Sequence, residues 1–445
     1  MKRFLVVALV VALMGVVKPI SATARSKEKY RKEVLSRGRG YYKDVFMDGG
    51  VALTSRYYLP ATRFLGLSID YFASAKTDKL TQKDTLLQRN IFCGCEEDTN
   101  GWLLYPDGAP RFRVIYVNGG KSGSHARSLT ERGRELLREY VANGGSYVGT
   151  CAGAYMATSG SRRDNGSIRN ANSYLALWPG YAKPTSLKKA RPTLTLRKKS
   201  PLLRYFDFGG DRTVVEVFHN GGCSAYGYKD GKMPKGTEPL AYYKYEDTKR
   251  VKIDGRVAVW AYKPTEQSGR VVMCGSHPEG VSEGERLEFM SAMLLYAMDG
   301  NARPQLKGEL KAGVVREMNK RTEDEDPKYT RIGDRQYHHF VIEVPRGCKR
   351  AVISLDGYED AKKFDLTLCA KRGDFAFHDN TLHKNVSRGC KKRLVLERPK
   401  SGKWYVSVLC ETAVTSLRGK YGSRYTGRTS VLNGVPYKIS VEYEK

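Results

Sequence analysis

Acidic side chains are scarce in this chain. Only 47 Asp and Glu stand against 77 Lys and Arg among 445 residues, a formal net charge of +30 at pH 7. Such an excess attracts any polyanion, whether nucleic acid, anionic glycan or acidic membrane surface. The means to read bases are missing, however. The sequence has no helix-turn-helix pattern, aromatic RNA-binding motif or zinc finger, so the charge reads as the surface of a basic protein with no specific nucleic-acid site. Low-complexity tracts are absent too, and 40% hydrophobic residues suit globular domains. Long apolar runs are confined to residues 4–17, and no later run is apolar enough to cross a bilayer.

That early run follows Lys2 and Arg3 and leads to Ala22-Thr23-Ala24, small residues in A-x-A spacing. The pattern predicts a cleaved signal peptide over residues 1–24 and an exported protein, periplasmic or secreted. No Cys follows the run, so no lipid attachment is expected. Export makes disulfides permissible, and an odd count of nine cysteines leaves at least one thiol unpaired within the chain. Cys93-Gly94-Cys95 has half the spacing of a metal site but no second pair follows it. Neither a metal nor a cofactor is expected.

From about Lys43 apolar strands alternate with amphipathic helices. Residues 113–117 read as a buried strand ending in Asn118-Gly119-Gly120. Ser128 and Glu131 then have capping-box spacing, Leu136, Leu137, Tyr140 and Val141 mark one helical face, and Gly144-Gly145 ends the helix. The strand at 146–149 completes a βαβ unit, which implies a parallel sheet. Residues 257–262 and 270–274 look like neighbouring strands. A further helix, again with capping-box spacing at Ser282 and Glu285, carries Leu287, Met290, Met293, Leu294 and Ala297 inward and stops at Gly300. The predicted fold class is α/β, a flavodoxin-like doubly wound parallel sheet over residues 25–303. Polar residues 304–335 have the composition of a linker. Short strands without helical periodicity then predict an antiparallel β-sandwich over 336–445, at 340–344, 351–355, 364–368, 394–397, 404–409 and 437–441.

The stretch Gly149-Thr150-Cys151-Ala152-Gly153-Ala154 follows the 146–149 strand directly. A strand turning sharply into a helix lifts its turn residue above the sheet and crowds its neighbours, which must be small. The first N–H groups of the helix then favour a thiolate at Cys151. A nucleophile also needs a base and a means to hold an oxyanion. His277, after another strand, supplies the base, and Glu279 two residues on can orient the imidazole. The backbone N–H groups of Gly119, Gly120 and Ala152 are candidates for the oxyanion hole.

GTCAGA, the Gly-Gly pair and His277-Pro278-Glu279, in this order, resemble the class I glutamine amidotransferase superfamily, whose triad is Cys, His and Glu. More narrowly, VNGGKSG, GGSYVGTCAGAYMA, FHNGG at residues 218–222 and GSHPEG resemble the amidotransferase-like domain at the N-terminus of biotin-protein ligases, over about Tyr42 to Arg303. The resemblance implies that Cys151 is the nucleophile, His277 the general base and then acid, and Glu279 its orienting partner, with a thioester intermediate. It places Asn220, Gly221 and Gly222 near a bound small-molecule or peptide amide. No biotin-ligase or synthetase catalytic domain is recognised downstream, so free hydrolysis of an amide, peptide or ester bond fits better than transfer of ammonia. Segments 364–368 and 399–406 resemble the bacterial pre-peptidase C-terminal domain, which implies targeting, stability or surface binding, as envelope or glycan association, and not catalysis.

Bland readings stand beside these. Cys151 could be a small buried filler, and the chain a catalytically inactive envelope protein whose old pocket binds a ligand or polyanion. His125 and His219 read as surface groups. Cys348, Cys369, Cys390 and Cys410 permit three pairings, and opposite strand parity argues against joining Cys369 to Cys410. The basic run from Lys188 to Lys199 reads as a solvated loop face.

Overall fold

A computed structural model describes residues 22–48, 59–72, 101–170, 172–245, 252–321, 326–418 and 423–445. The expected signal peptide up to residue 21 and the Cys93-Gly94-Cys95 pair lie outside them. In chain order the first thirteen strands are Lys43–Asp48 (β1), Ile69–Phe72 (β2), Phe112–Val117 (β3), Ser146–Thr150 (β4), Gly160–Arg162 (β5), Ile168–Asn170 (β6), Tyr181–Pro184 (β7), Thr193–Leu196 (β8), Thr213–Val214 (β9), Cys223–Gly227 (β10), Glu238–Lys244 (β11), Val257–Tyr262 (β12) and Val271–Cys274 (β13). Among the described residues the α-helices are Ala22–Ser36 (α1), Pro60–Leu65 (α2), Ser122–Ser128 (α3), Thr130–Ala142 (α4), Ala152–Met156 (α5) and Gly284–Asp299 (α6). Among the described residues no helix is long and apolar enough to cross a membrane.

Nine strands make one sheet in the order β2-β1-β3-β4-β13-β12-β11-β8-β9, while β10-β7-β5-β6 form a small second sheet. The βαβ unit is present: β3 and β4 pair in parallel across α4. Alternation then sorts side chains to two faces. Ile115, Val117 and Tyr147 join one core with Leu136, Leu137 and Tyr140 of α4, while Val114, Tyr116 and Val148 join the other with Met290, Met293 and Leu294 of α6. Neither capping box forms. Ser128 Oγ instead donates to the His125 carbonyl at 2.8 Å, and α6 opens at Gly284 with no side-chain cap.

The sheet differs from the expected parallel one over half its width. It is parallel from β2 to β13, but the pairs β13–β12, β12–β11, β11–β8 and β8–β9 are antiparallel. Residues 263–270 between β12 and β13 are too few for the crossover that a parallel pair demands, so the chain turns back as a hairpin. The architecture is therefore mixed α/β. For the site, the useful part is the parallel half. Val117 lies beside Gly149, and Cys274 beside Thr150, so the segments following β3, β4 and β13 leave one edge together.

Beyond α6 the chain is β-rich. One sheet runs in the spatial order Leu306–Glu309, Tyr337–Val344, Gly402–Cys410, Leu366–Arg372, Lys384–Asn385, and a second in the order Arg316–Met318, Tyr437–Glu444, Arg350–Gly357, Lys392–Glu397. Residues 304–335 are thus not the free linker expected from their polarity: two short strands within them edge both sheets, and the 306–309 strand pairs in parallel with 337–344. The seven described cysteines, including Cys348, Cys369, Cys390 and Cys410, are free and buried.

The two parts are joined by buried charge and by one continuous apolar core. Arg111 Nη2 lies 2.9 Å from Asp334 Oδ2 with both side chains 1% exposed. Asp107 accepts from Lys307 at 2.6 Å and from Gln336 at 2.8 Å. The hairpin of Thr415–Arg418 and Ser423–Thr426 reaches back over the outer edge of β2. There Tyr71 N donates to Ser423 Oγ at 3.3 Å, and Ser416 Oγ to Asp70 Oδ1 at 2.6 Å.

Candidate active site

β4 ends at Thr150 and α5 begins at Ala152, so Cys151 alone makes the turn. Its φ of 47° and ψ of −102° fall where a residue bearing a Cβ is strained. The backbone is nonetheless held on both sides, by Cys151 N donating to Cys274 O at 2.8 Å and Tyr155 N donating to Cys151 O at 3.1 Å. The small neighbours are sterically required. A Cβ on Gly153 would stand 2.1 Å from the Val117 carbonyl oxygen, and one on Gly149 would stand 2.5 Å from the carbonyl carbon of Gly153. α5 is five residues long. Its macrodipole is therefore slight, and what it offers is the N–H groups of its first turn, Ala152 included, which lack acceptors within the helix.

His277 follows β13 and Glu279 lies two residues beyond, as the sequence places them. The imidazole Nδ1 is 2.9 Å from Glu279 Oε1, and the backbone N–H of His277 donates to the Phe218 carbonyl at 2.8 Å. Nε2 is thereby left to face away from the carboxylate. Burial alone would depress the pKa of this histidine, but the Glu279 carboxylate and the Cys151 side chain outweigh it and carry the value up to about 10. The Tyr116 hydroxyl, 2.9 Å from Thr150 Oγ1, borders the same carboxylate and is pushed well above its usual range, chiefly by burial and then by that charge. Gly119 sits against the ring itself. An added Cβ would lie 2.1 Å from His277 Cε1, so the glycine that sequence reasoning offers for an oxyanion hole is also the one that admits the imidazole. Gly120, at φ 141°, packs beside His125.

The FHNGG stretch lies across the thiol. Cys151 Sγ is 3.9 Å from the Asn220 carbonyl, and Cys151 is 5% exposed. Asn220 Oδ1 accepts from Lys189 N at 3.3 Å, Gly221 N donates to Leu187 O at 2.6 Å, and the Gly222 carbonyl accepts from Tyr155 Oη at 3.0 Å. Lys188 and Lys189 are themselves exposed. His125 and His219, expected at the surface, are both fully buried. His125, within α3, packs against Gly120, and His219, on the FHNGG loop, against Gly222, which composition alone does not reveal. His219 touches Thr185, Ser276 and Tyr243, three residues that sequence reasoning missed. Burial, and then the charge of His277, lower its pKa to about 4. Among the described residues no three His, Cys, Asp or Glu side chains are grouped as a metal set.

Residues 109–294 match the family model described as biotin-protein ligase, N terminal. That match spans the Gly119-Gly120 loop, Cys151, FHNGG and His277-Pro278-Glu279, so the resemblance to the biotin-protein ligase N-terminal family holds for this segment. An uncharacterized protein of Chlamydia muridarum (strain MoPn / Nigg) is 30% identical over 114 residues, 25% of this chain, and the chain spans 43% of that relative's length. A crystal structure of a glutamine amidotransferase is similar at 15% identity and a TM-score of 0.28, covering 42% of this chain and 80% of the other. The pre-peptidase C-terminal domain of a collagenase from Bacillus anthracis is similar at 15% identity and a TM-score of 0.18, over 32% of this chain and all of that domain.

Proposed function

We propose that the protein is a cysteine-dependent hydrolase of the glutamine amidotransferase-like type, cleaving an amide bond through Cys151, His277 and Glu279. The observation that supports this best is the 2.9 Å contact between His277 Nδ1 and Glu279 Oε1, on an imidazole whose pKa the Cys151 side chain also raises. At neutral pH that imidazole is protonated, which favours a thiolate beside it. The thiolate attacks the carbonyl carbon and the C=O electron pair moves onto oxygen, where the N–H groups of Ala152, Gly119 and Gly120 can receive it. The intermediate collapses as the C–N bond breaks and the amine leaves with the proton of His277. Water, deprotonated by the now neutral imidazole, cleaves the thioester and frees the acid and the thiol. Glu279 holds the ring in orientation throughout. On this reading Asn220, Gly221 and Gly222 meet the substrate, the protein is exported, and the sandwich associates with envelope or glycan.

The test begins with iodoacetamide. Cys151 is expected to be alkylated at pH 6 at least tenfold faster than in the denatured chain, since thiolate fraction sets the rate. Ammonia release from L-glutamine and a panel of peptide amides is then compared between the native protein and Cys151→Ala. Alkylation no faster than in the denatured chain, or release that survives Cys151→Ala, overturns the assignment.

One observation favours a second reading, a ligand-binding protein that no longer turns over. The thiol lies under the Asn220 carbonyl, where an incoming substrate carbonyl would need room. Ligand binding that survives Cys151→Ala, with no acyl-enzyme detected by mass spectrometry, would decide for it.

A further inference from the structure

The FHNGG stretch does more than cover the thiol. His219 Nε2 lies 2.6 Å from Thr185 Oγ1, which reaches the Gly222 carbonyl at 2.9 Å. On the other side of the ring, Nδ1 lies 2.9 Å from Ser276 Oγ. Ser276 Oγ is 3.4 Å from Tyr243 Oη, and that hydroxyl donates to the Cys223 carbonyl at 2.8 Å. These contacts form a ring of polar groups closed through the peptide joining residues 222 and 223. Thr185, His219, Ser276 and Tyr243 are all buried.

Proton counting gives the ring a direction. Six contacts join six groups, and the two carbonyls at its ends only accept. Three hydroxyls and a neutral imidazole bring four protons, so two contacts go without. The two that reach Tyr243 Oη, from Ser276 Oγ at 3.4 Å and from His219 Nδ1 at 3.5 Å, are the longest of the six. With those two unfilled, Thr185 donates to Gly222, His219 Nε2–H to Thr185, Ser276 to His219 Nδ1, and Tyr243 to Cys223. A second positive charge on His219 would sit buried beside the protonated His277.

The ring also touches three segments of the site. Ser276 immediately precedes the proposed base, and the Phe218 carbonyl holds His277 N at 2.8 Å. The Gly222 carbonyl accepts from Tyr155, on the helix that follows the proposed nucleophile. Asn220, between His219 and Gly222, places its carbonyl over Sγ. No side chain fits where these segments meet: a Cβ at Gly222 would stand 1.7 Å from the Gly275 oxygen and 2.8 Å from His219 Cε1.

We propose that His219 is the positioning residue of this site, tying the loop over the thiol to the turn that carries the imidazole so that Cys151 and His277 stay in register. The proposal rests on the assignment of Cys151 as an activated thiol. Its test needs no substrate. The rate of Cys151 alkylation by iodoacetamide is measured from pH 5 to 9 in the native protein and in His219→Leu, His219→Gln, Thr185→Val and Ser276→Ala, with circular dichroism as the check on folding.

A displacement of about 1 Å in such a site costs on the order of 100-fold. His219→Leu is therefore expected to slow alkylation at pH 6 by more than about tenfold and to move the acidic limb upward. Thr185→Val and Ser276→Ala, which each remove one of the hydroxyl contacts to His219, should fall between. His219→Gln, whose amide carries both a donor group and an acceptor, should recover most of the native rate. Folded His219→Leu with a native profile overturns the proposal. If that variant does not fold, native profiles in Thr185→Val and Ser276→Ala overturn it equally. A native protein no more reactive than its denatured chain fails the nucleophile assignment first and takes this proposal with it.

Discussion

Two opposing influences meet on the imidazole of His277. Burial disfavours its charge, while Glu279 and Cys151 favour it, and the balance raises the pKa from an ordinary 6.5 to about 10. A group whose folded pKa is raised stabilises the fold fully below its unfolded pKa, and that contribution is lost as pH climbs through the folded one. Thermal stability measured between pH 6.5 and 10 is therefore expected to fall more steeply in the native protein than in His277→Asn; parallel slopes would contradict the raised value. Cys151, His277 and Glu279 were legible in the sequence because their types, order and flanking glycines are properties of the string itself. His219 was visible there too, but not its role. That role depends on burial and on Thr185 and Ser276, which arrive from distant parts of the chain and carry no local mark.

At the scale of elements, two glycine turns do different jobs. The turn after β3 makes room for a side chain, since a Cβ on Gly119 would collide with the His277 ring; the first turn of α5 makes room for backbone, since a Cβ on Gly153 would collide with the Val117 carbonyl. Gly119→Ala is expected to displace the imidazole and cut Cys151 reactivity by about 100-fold, with little change in stability. Gly153→Ala forces α5 away from β3 and is expected to destabilise by about 1–3 kcal/mol. Urea titration alongside alkylation separates the two, and equal effects of both variants on both measurements would refute the distinction. The βαβ unit and α6 could be read in advance because helical and strand periodicities differ. The antiparallel half was legible only at β12–β13, where the short link 263–270 excludes a crossover; in β8 and β11 alternation reports which residues are buried but not which way the strand runs. The capping boxes failed for a related reason: Ser128 and Ser282 have the right spacing, but tertiary packing begins each helix elsewhere.

Across the whole molecule, the polar stretch 304–335 misled because its residues were taken as solvated, whereas Lys307 and Asp334 are buried ion-pair partners of Asp107 and Arg111. Breaking such a pair from one side is costlier than never having built it. Asp334→Ala is expected to lower stability by about 3–5 kcal/mol, while Arg111→Met combined with Asp334→Ala should recover much of the loss. Urea unfolding of the three proteins checks this, and strictly additive losses would show that the pair is not coupled. The hairpin at 415–426 has a consequence of a different kind, one of timing. It lies over the outer edge of β2, yet the ribosome makes it about 350 residues later, on the order of 20–70 s at roughly 5–20 residues per second. Throughout that interval the bonds from Tyr71 N to Ser423 and from Ser416 to Asp70 cannot form, so this stretch of β2 gains them only after every other strand of the nine-stranded sheet has been made.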